Sequence, residues 1–150
     1  MKKLALVVVC VVAGVFAYRS LAVDRAEKRY EAFAEEILHR RYDAAARMAD
    51  GLTAADLEKL GSQEQIGAGP AMFQTIFLSR FDIHSRTAAP DGSVVFHATQ
   101  VVRFNPPGVE SARPAMFATL GQVVTLRKSA GEWRVTAFEN VFQGLDTPSR

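Results

Sequence analysis

The sequence predicts an α+β fold: helices packed on a curved antiparallel sheet of four or more strands, behind an N-terminal membrane segment. Three observations carry this. An unbroken apolar run from Leu4 to Tyr18 follows Met1-Lys2-Lys3. Apolar residues then recur at helical spacing from Asp24 to about Ala49. After Arg80 the apolar period changes from 3.6 to 2, the mark of half-buried strands.

The first element is the apolar run. A basic head before a hydrophobic core is the pattern of a chain handed to a membrane. Its fifteen residues are at the upper limit of a signal-peptide core, and at about 1.5 Å each they span roughly 22 Å. A hydrocarbon layer is about 30 Å thick. Reading on through Arg19 and Ser20 to Val23 lengthens the span, and Lys3 and Arg19 can snorkel to its edges. Two fates fit residues 1–23: a retained single-pass anchor, or a signal cleaved after Ala17 or Ala22. Cys10, the single cysteine, sits inside the run behind Val9 rather than a small residue, and reads as a packed membrane side chain. It leaves no disulfide within the chain. Lys2 and Lys3 favour an exported C-terminal part, although Arg19, Arg25, Lys28 and Arg29 weaken the charge asymmetry. The expected location is the cell membrane with the following domain on the periplasmic or extracellular side, the alternative being secretion after cleavage.

Composition bounds the rest. The chain carries 18 basic and 16 acidic residues. Residues 1–22 hold three of the basic ones and no acid, so the remaining 128 residues have a formal charge of −1. No basic field is left to attract a phosphate backbone, which argues against nucleic acid. That length suits one domain with a single core, assigned to residues 24–143 with a flexible tail over 144–150.

Tyr30, Phe33, Ile37, Leu38, Ala45 and Met48 form the apolar stripe of the first helix. Asp24 is placed as its N-cap with Glu27 completing a capping box. The run Arg40-Arg41-Tyr42-Asp43 bends or breaks it, with Asp43 capping a second piece and Asp50-Gly51 ending it. Thr53-Ala54-Ala55-Asp56 opens a short helix that stops at Gly61. Pro70 opens a third, with Phe73, Ile76 and Phe77 on its buried edge.

Phe81 to Arg86 alternates as the first strand, and Pro90-Asp91-Gly92 is a turn. Val94–Phe104 returns. Asn105-Pro106-Pro107-Gly108 bounds a loop, Ala115–Lys128 is the third strand, and Gly131 lies in a tight turn. Glu132–Phe142 is the fourth, with Trp133, Val135, Ala137, Glu139 and Val141 on one face. Helices followed by a meander argue for helices on one sheet face, and a strongly curved sheet would leave a cavity beneath them.

This order resembles the nuclear-transport-factor-2-like superfamily, with its polyketide-cyclase-like and ketosteroid-isomerase-like cone folds. The resemblance rests on the first helix with Leu38-His39-Arg40-Arg41-Tyr42-Asp43-Ala44-Ala45-Ala46, and on the terminal hairpin from Val123 through Gly131 to Val135. It spans residues 24 to 143. The resemblance implies a cone whose cavity hosts an Asp or His aided by a Tyr or second acid, or a binding module or scaffold on the same fold. It also implies that exposed sheet surface supports dimers.

The candidates for an acid–base pair are Asp82, His84, His97 and Glu139. Tyr42, Phe73, Phe77 and Trp133 are candidates for lining an apolar ligand site. His84 and His97 lie on neighbouring strands: a two-residue hairpin sets them opposite each other, and a one-residue bulge at Gly92 sends them to different faces. Two histidines fall short of a usual metal site, and no HExxH, cysteine cluster, phosphate loop or dinucleotide fingerprint is present. No cofactor is expected. Two functions fit: a membrane-anchored envelope protein with a non-catalytic binding or assembly module, or an isomerase-, dehydratase- or hydrolase-type enzyme using that pair. Expected partners are the membrane through residues 4–23, a second copy or an envelope protein, and a small apolar ligand.

Overall fold

The fold is taken from a computed structural model, which describes residues 25–61, 75–105 and 116–146. The expected membrane segment, the expected Asp24 cap, the start of the expected Pro70 helix and the expected Asn105–Gly108 loop beyond its first residue lie outside those residues. Among the described residues no helix is long and apolar enough to cross a membrane.

Helix α1 covers residues 25–38. Ala26, Tyr30, Phe33, Ala34 and Ile37 are all buried on one side of it. This spacing is a single stripe at 3.6 residues per turn. The stripe packs on Phe96, Ala98, Val124, Leu126, Val135 and Phe138 of the sheet. Tyr30 stacks on Phe96 with ring centroids 5.9 Å apart and meets Phe81 edge-on at 5.5 Å. Phe33 meets Phe138 edge-on at 5.1 Å. Glu27 serves the tertiary structure: its carboxylate accepts from Arg86 at 2.9 and 2.6 Å.

The chain breaks after Leu38 as expected, but Asp43 is not the cap. Arg40 takes the left-handed conformation (φ 60°), and helix α2 (Tyr42–Ala46) starts after Arg41 with no side-chain cap. Asp43 lies in its first turn. Helix α2 also ends at Ala46, before Asp50-Gly51. The reason is a strand-like contact: Ala49 bridges Val135 in parallel, with Val135 N–H donating to Met48 at 3.1 Å and Asp50 N–H donating to Val135 at 2.8 Å. Helix α3 (Ala54–Gly61) opens as read. The Asp56 N–H donates to the Thr53 hydroxyl at 3.2 Å, and the Thr53 N–H donates to the Asp56 carboxylate at 3.0 Å. This reciprocal pair is a capping box.

Four strands follow: β1 (Thr75–Ala88), β2 (Val94–Asn105), β3 (Met116–Ser129) and β4 (Glu132–Asp146). They form one open antiparallel sheet in the order β1-β2-β3-β4. Strand β1 starts at Thr75, so Ile76 and Phe77 are strand and not the buried edge of a helix. A short run rich in β-branched and aromatic residues fits either period, and here sheet pairing wins. Strand β4 runs on to Asp146, with Leu145 paired to Ala118, so pairing extends into the expected tail.

The central strands β2 and β3 pair without interruption. Each edge strand carries two bulges: Phe77 and His84 in β1, Thr136 and Gln143 in β4. A bulge shifts every following side chain to the opposite face. One face of the sheet is covered by α1, and no described helix packs on the other.

Candidate functional site

Along β2 the buried side is Val94, Phe96, Ala98, Gln100, Val102 and Phe104; along β3 it is Ala118, Leu120, Gln122, Val124 and Leu126. An amide interrupts each apolar row near its middle. Gln100 is 0%, Gln122 3% and Asn140 4% exposed, a depth that requires every polar atom to be paired.

They are paired with one another. The Tyr30 hydroxyl donates to Gln122 Oε1 at 2.5 Å. Gln122 Nε2 donates to Gln100 Oε1 at 2.8 Å and to Asn140 Oδ1 at 3.1 Å. Gln100 Nε2 donates to the Ser79 hydroxyl at 2.8 Å. The belt crosses all four strands and ends on α1. Burial pushes the Tyr30 hydroxyl above its ordinary value, with Glu31 adding to it. Tyr30 thus stays protonated and donates, which orients Gln122 and, through it, the other amides. Among the described residues no buried side-chain polar atom lacks a partner. The belt separates two apolar clusters, one around Phe33, Phe96 and Phe138, the other around Leu38, Val102, Phe104 and Leu120.

The four acid–base candidates lie elsewhere. Asp82, His84, His97 and Glu139 are all exposed. The register explains each. Asp82 pairs with Thr99, and Ser85, not His84, pairs with His97. His84 is itself the bulged residue, and its Nε2 lies 2.6 Å from the Thr99 hydroxyl on the open face. Neither sequence-based arrangement of the two histidines, opposite each other or on different faces, is the one found. Glu139 leaves the face of Trp133 and Val135 because of the Thr136 bulge; Phe138 and Asn140 take the inward positions instead. Ala137, Glu139 and Val141 are exposed together, which corrects the single face expected for β4. Among the described residues no three His, Cys, Asp or Glu side chains come together as a metal-binding group.

The ligand-site candidates are likewise dispersed. Phe73 and the side chain of Phe77 lie outside the described residues. Trp133 packs at the rim of the larger cluster. Tyr42 also touches that cluster, but it lines an open cleft of about 510 Å³ with Arg40, Asp43, Arg47, Ala55 and Glu58. Arg41, on the same cleft, is held by Glu36 through two hydrogen bonds. That bond keeps the Glu36 carboxyl below its ordinary value.

The open face is made of small and β-branched side chains. Val95, Thr99 and Val101 of β2 and Thr119, Val123 and Thr125 of β3 are half-buried. Leu78 is 60% and Val141 57% exposed. Charge sits around this strip: Arg80 and Asp82 on one edge strand, Glu139 on the other, Arg103 and Arg127 toward the strand ends. At its centre Gly121 pairs with both Thr99 and Val141, and a Cβ there would overlap the Gln143 side chain, which crosses over it.

No family model matches the chain, and no curated protein matches it.

Proposed function

We propose that this chain is a membrane-anchored envelope protein, in which a single-pass segment over residues 4–23 carries an exported cone-fold domain of the nuclear-transport-factor-2-like type. The domain serves as a non-catalytic binding or assembly module. One observation carries the reading: the two faces of the sheet have opposite chemistry. Among the described residues the covered face is filled by aromatic and aliphatic side chains and a closed amide belt without an acid or imidazole in it. Every acid–base candidate lies exposed on the open face, on the opposite side of the sheet from α1 and the belt.

The open face suits docking. Strands about 4.8 Å apart and twelve residues long give four strands an area of roughly 750 Å², near the ~800 Å² that one partner contributes to a standard interface. An uncharged strip ringed by charge is the ordinary anatomy of such a surface. A second copy or another envelope protein would fill it.

Membrane fractionation tests the location. The intact protein stays with the membrane at high salt, and protease reaches the domain only from the outer side; recovery of intact protein in the soluble cytosol overturns the reading. Chemical cross-linking tests the surface. Val123→Arg abolishes the cross-linked species while thermal unfolding stays within about 0.5 kcal/mol. An unchanged cross-linking pattern removes the open face as the docking site.

A further inference from the structure

A meander places its first and third turns at the same end of the sheet. Here they are Ala89–Ser93 and Ser129–Gly131. Helix α1 starts at that end too: Glu27 holds Arg86 beside the first turn, and Arg29 reaches Glu132 beside the second at 3.7 Å. Chain continuity then matters. Arg25 is two residues past Val23, so the two Cα atoms lie within about 7 Å of each other. With residues 4–23 in a bilayer, no linker separates it from this end of the domain.

The same end is basic. Arg29, Arg86 and Arg134 are engaged by Glu132 and Glu27. Arg25, Lys28, Arg127 and Lys128 are exposed, and among the described residues they make no hydrogen bond or ion pair. Lys28 acts on Glu31 through space, and Arg127 on Asp91. The Asp91 carboxylate is committed to its own turn, accepting from the Ser93 hydroxyl at 2.6 Å and the Ser93 N–H at 3.0 Å. Four cations from α1 and the β3–β4 hairpin are thus exposed and without a hydrogen-bonding partner among the described residues, at the end where the chain meets its proposed membrane segment.

We propose that this hairpin end is a contact surface for anionic lipid headgroups, which seats the domain against the bilayer in a fixed orientation. The inference rests on the membrane-anchor reading. Clustered Lys and Arg next to a membrane segment attract anionic lipid, and the attraction is lost with salt because it acts over a Debye length.

Trp133 is the single tryptophan of the chain and pairs with Lys128 beside the β3–β4 turn. It reports on the seating. The full chain is reconstituted into vesicles of phosphatidylcholine, or of phosphatidylcholine with phosphatidylglycerol, both carrying a quencher attached to the headgroup. Quenching of Trp133 is about twofold stronger in the anionic vesicles at low salt and equal in both at high salt. The double substitution Arg127→Gln, Lys128→Gln removes the difference, and so does Arg25→Gln, Lys28→Gln on the helix, should the hairpin variant fail to fold.

Equal quenching in the two lipids at low salt, in chain that floats with the vesicles, overturns the proposal and leaves the anchor reading standing. Persistence of the difference in folded charge-removed variants overturns it too, as does its loss on adding inorganic phosphate at matched ionic strength, which marks a free-anion site. Chain that fails to float with either vesicle at high salt overturns the anchor reading and this proposal together.

Discussion

The two faces of the sheet share a backbone and differ in almost everything else. The covered face holds phenylalanines, valines and leucines around three amides and a tyrosine hydroxyl, all buried and mutually bonded. The open face holds threonines and valines at its centre and all four titratable candidates. Adjacent positions on one strand, such as His97 and Ala98, therefore live in different solvents. The difference teaches where polar chemistry is expensive. On the covered face an unpaired amide has no water to turn to, so the belt must be complete. On the open face an Asp or His costs nothing and is free to change.

Substitutions can break or sharpen this contrast. The largest effect belongs to Phe96→Ala, which empties the site under Tyr30 and costs about 3–5 kcal/mol in chemical denaturation. Gln122→Leu comes next. It strands the Tyr30 hydroxyl, the Gln100 carbonyl and the Asn140 carbonyl, each left without its partner in the belt, at a cost of about 3 kcal/mol. Tyr30→Phe removes one donor and costs about 1–2 kcal/mol. The raised Tyr30 hydroxyl adds a sign: its stabilisation is complete below the ordinary tyrosine range and is lost as pH rises through the folded value. Alkaline ultraviolet titration should find Tyr30 ionising only as the protein unfolds.

Thr53→Ala lies off the sheet and removes the cap of α3, for about 1 kcal/mol. The Asp56 carboxyl is held below its ordinary value by the Thr53 hydroxyl and N–H. That contribution is present at neutral pH and fades as pH falls from about 4 through the lowered folded value. Circular dichroism during acid titration of wild type against Asp56→Asn should show it in the first and not the second. The smallest effects are on the open face. Asp82→Asn and Glu139→Gln change stability by no more than about 0.5 kcal/mol. A loss at Glu139 as large as that at Gln122 would abolish the distinction between the faces.

The elements were legible where their signals are local. The cap that opens α3 at Thr53, the Pro90 turn and the strands from Val94 onward follow from residues a few positions apart. Register was not legible. The bulges at His84 and Thr136 have no turn residue to announce them, yet they decide which way Ser85, Glu139 and Asn140 point. The belt had a visible trace, since Gln100 and Gln122 each interrupt an apolar alternation at its midpoint. A lone amide in such a row reads as an ordinary polar residue until the facing strand supplies another at the same depth. Thr75 to Phe77 failed for a different reason: three residues cannot separate a period of 2 from one of 3.6.

The parallel bridge between Ala49 and Val135 bears on how the molecule comes into being. It ties the first third of the polypeptide to its final hairpin, as do the contacts of α1 with Val135 and Phe138. A nascent chain emerging from its N-terminus must hold the oily stripe of Phe33 and Ile37 incompletely sheltered until the last strand arrives. Premature termination before β4 would leave that stripe partly uncovered and prone to aggregate, so escort during synthesis matters most for the earliest-made helix.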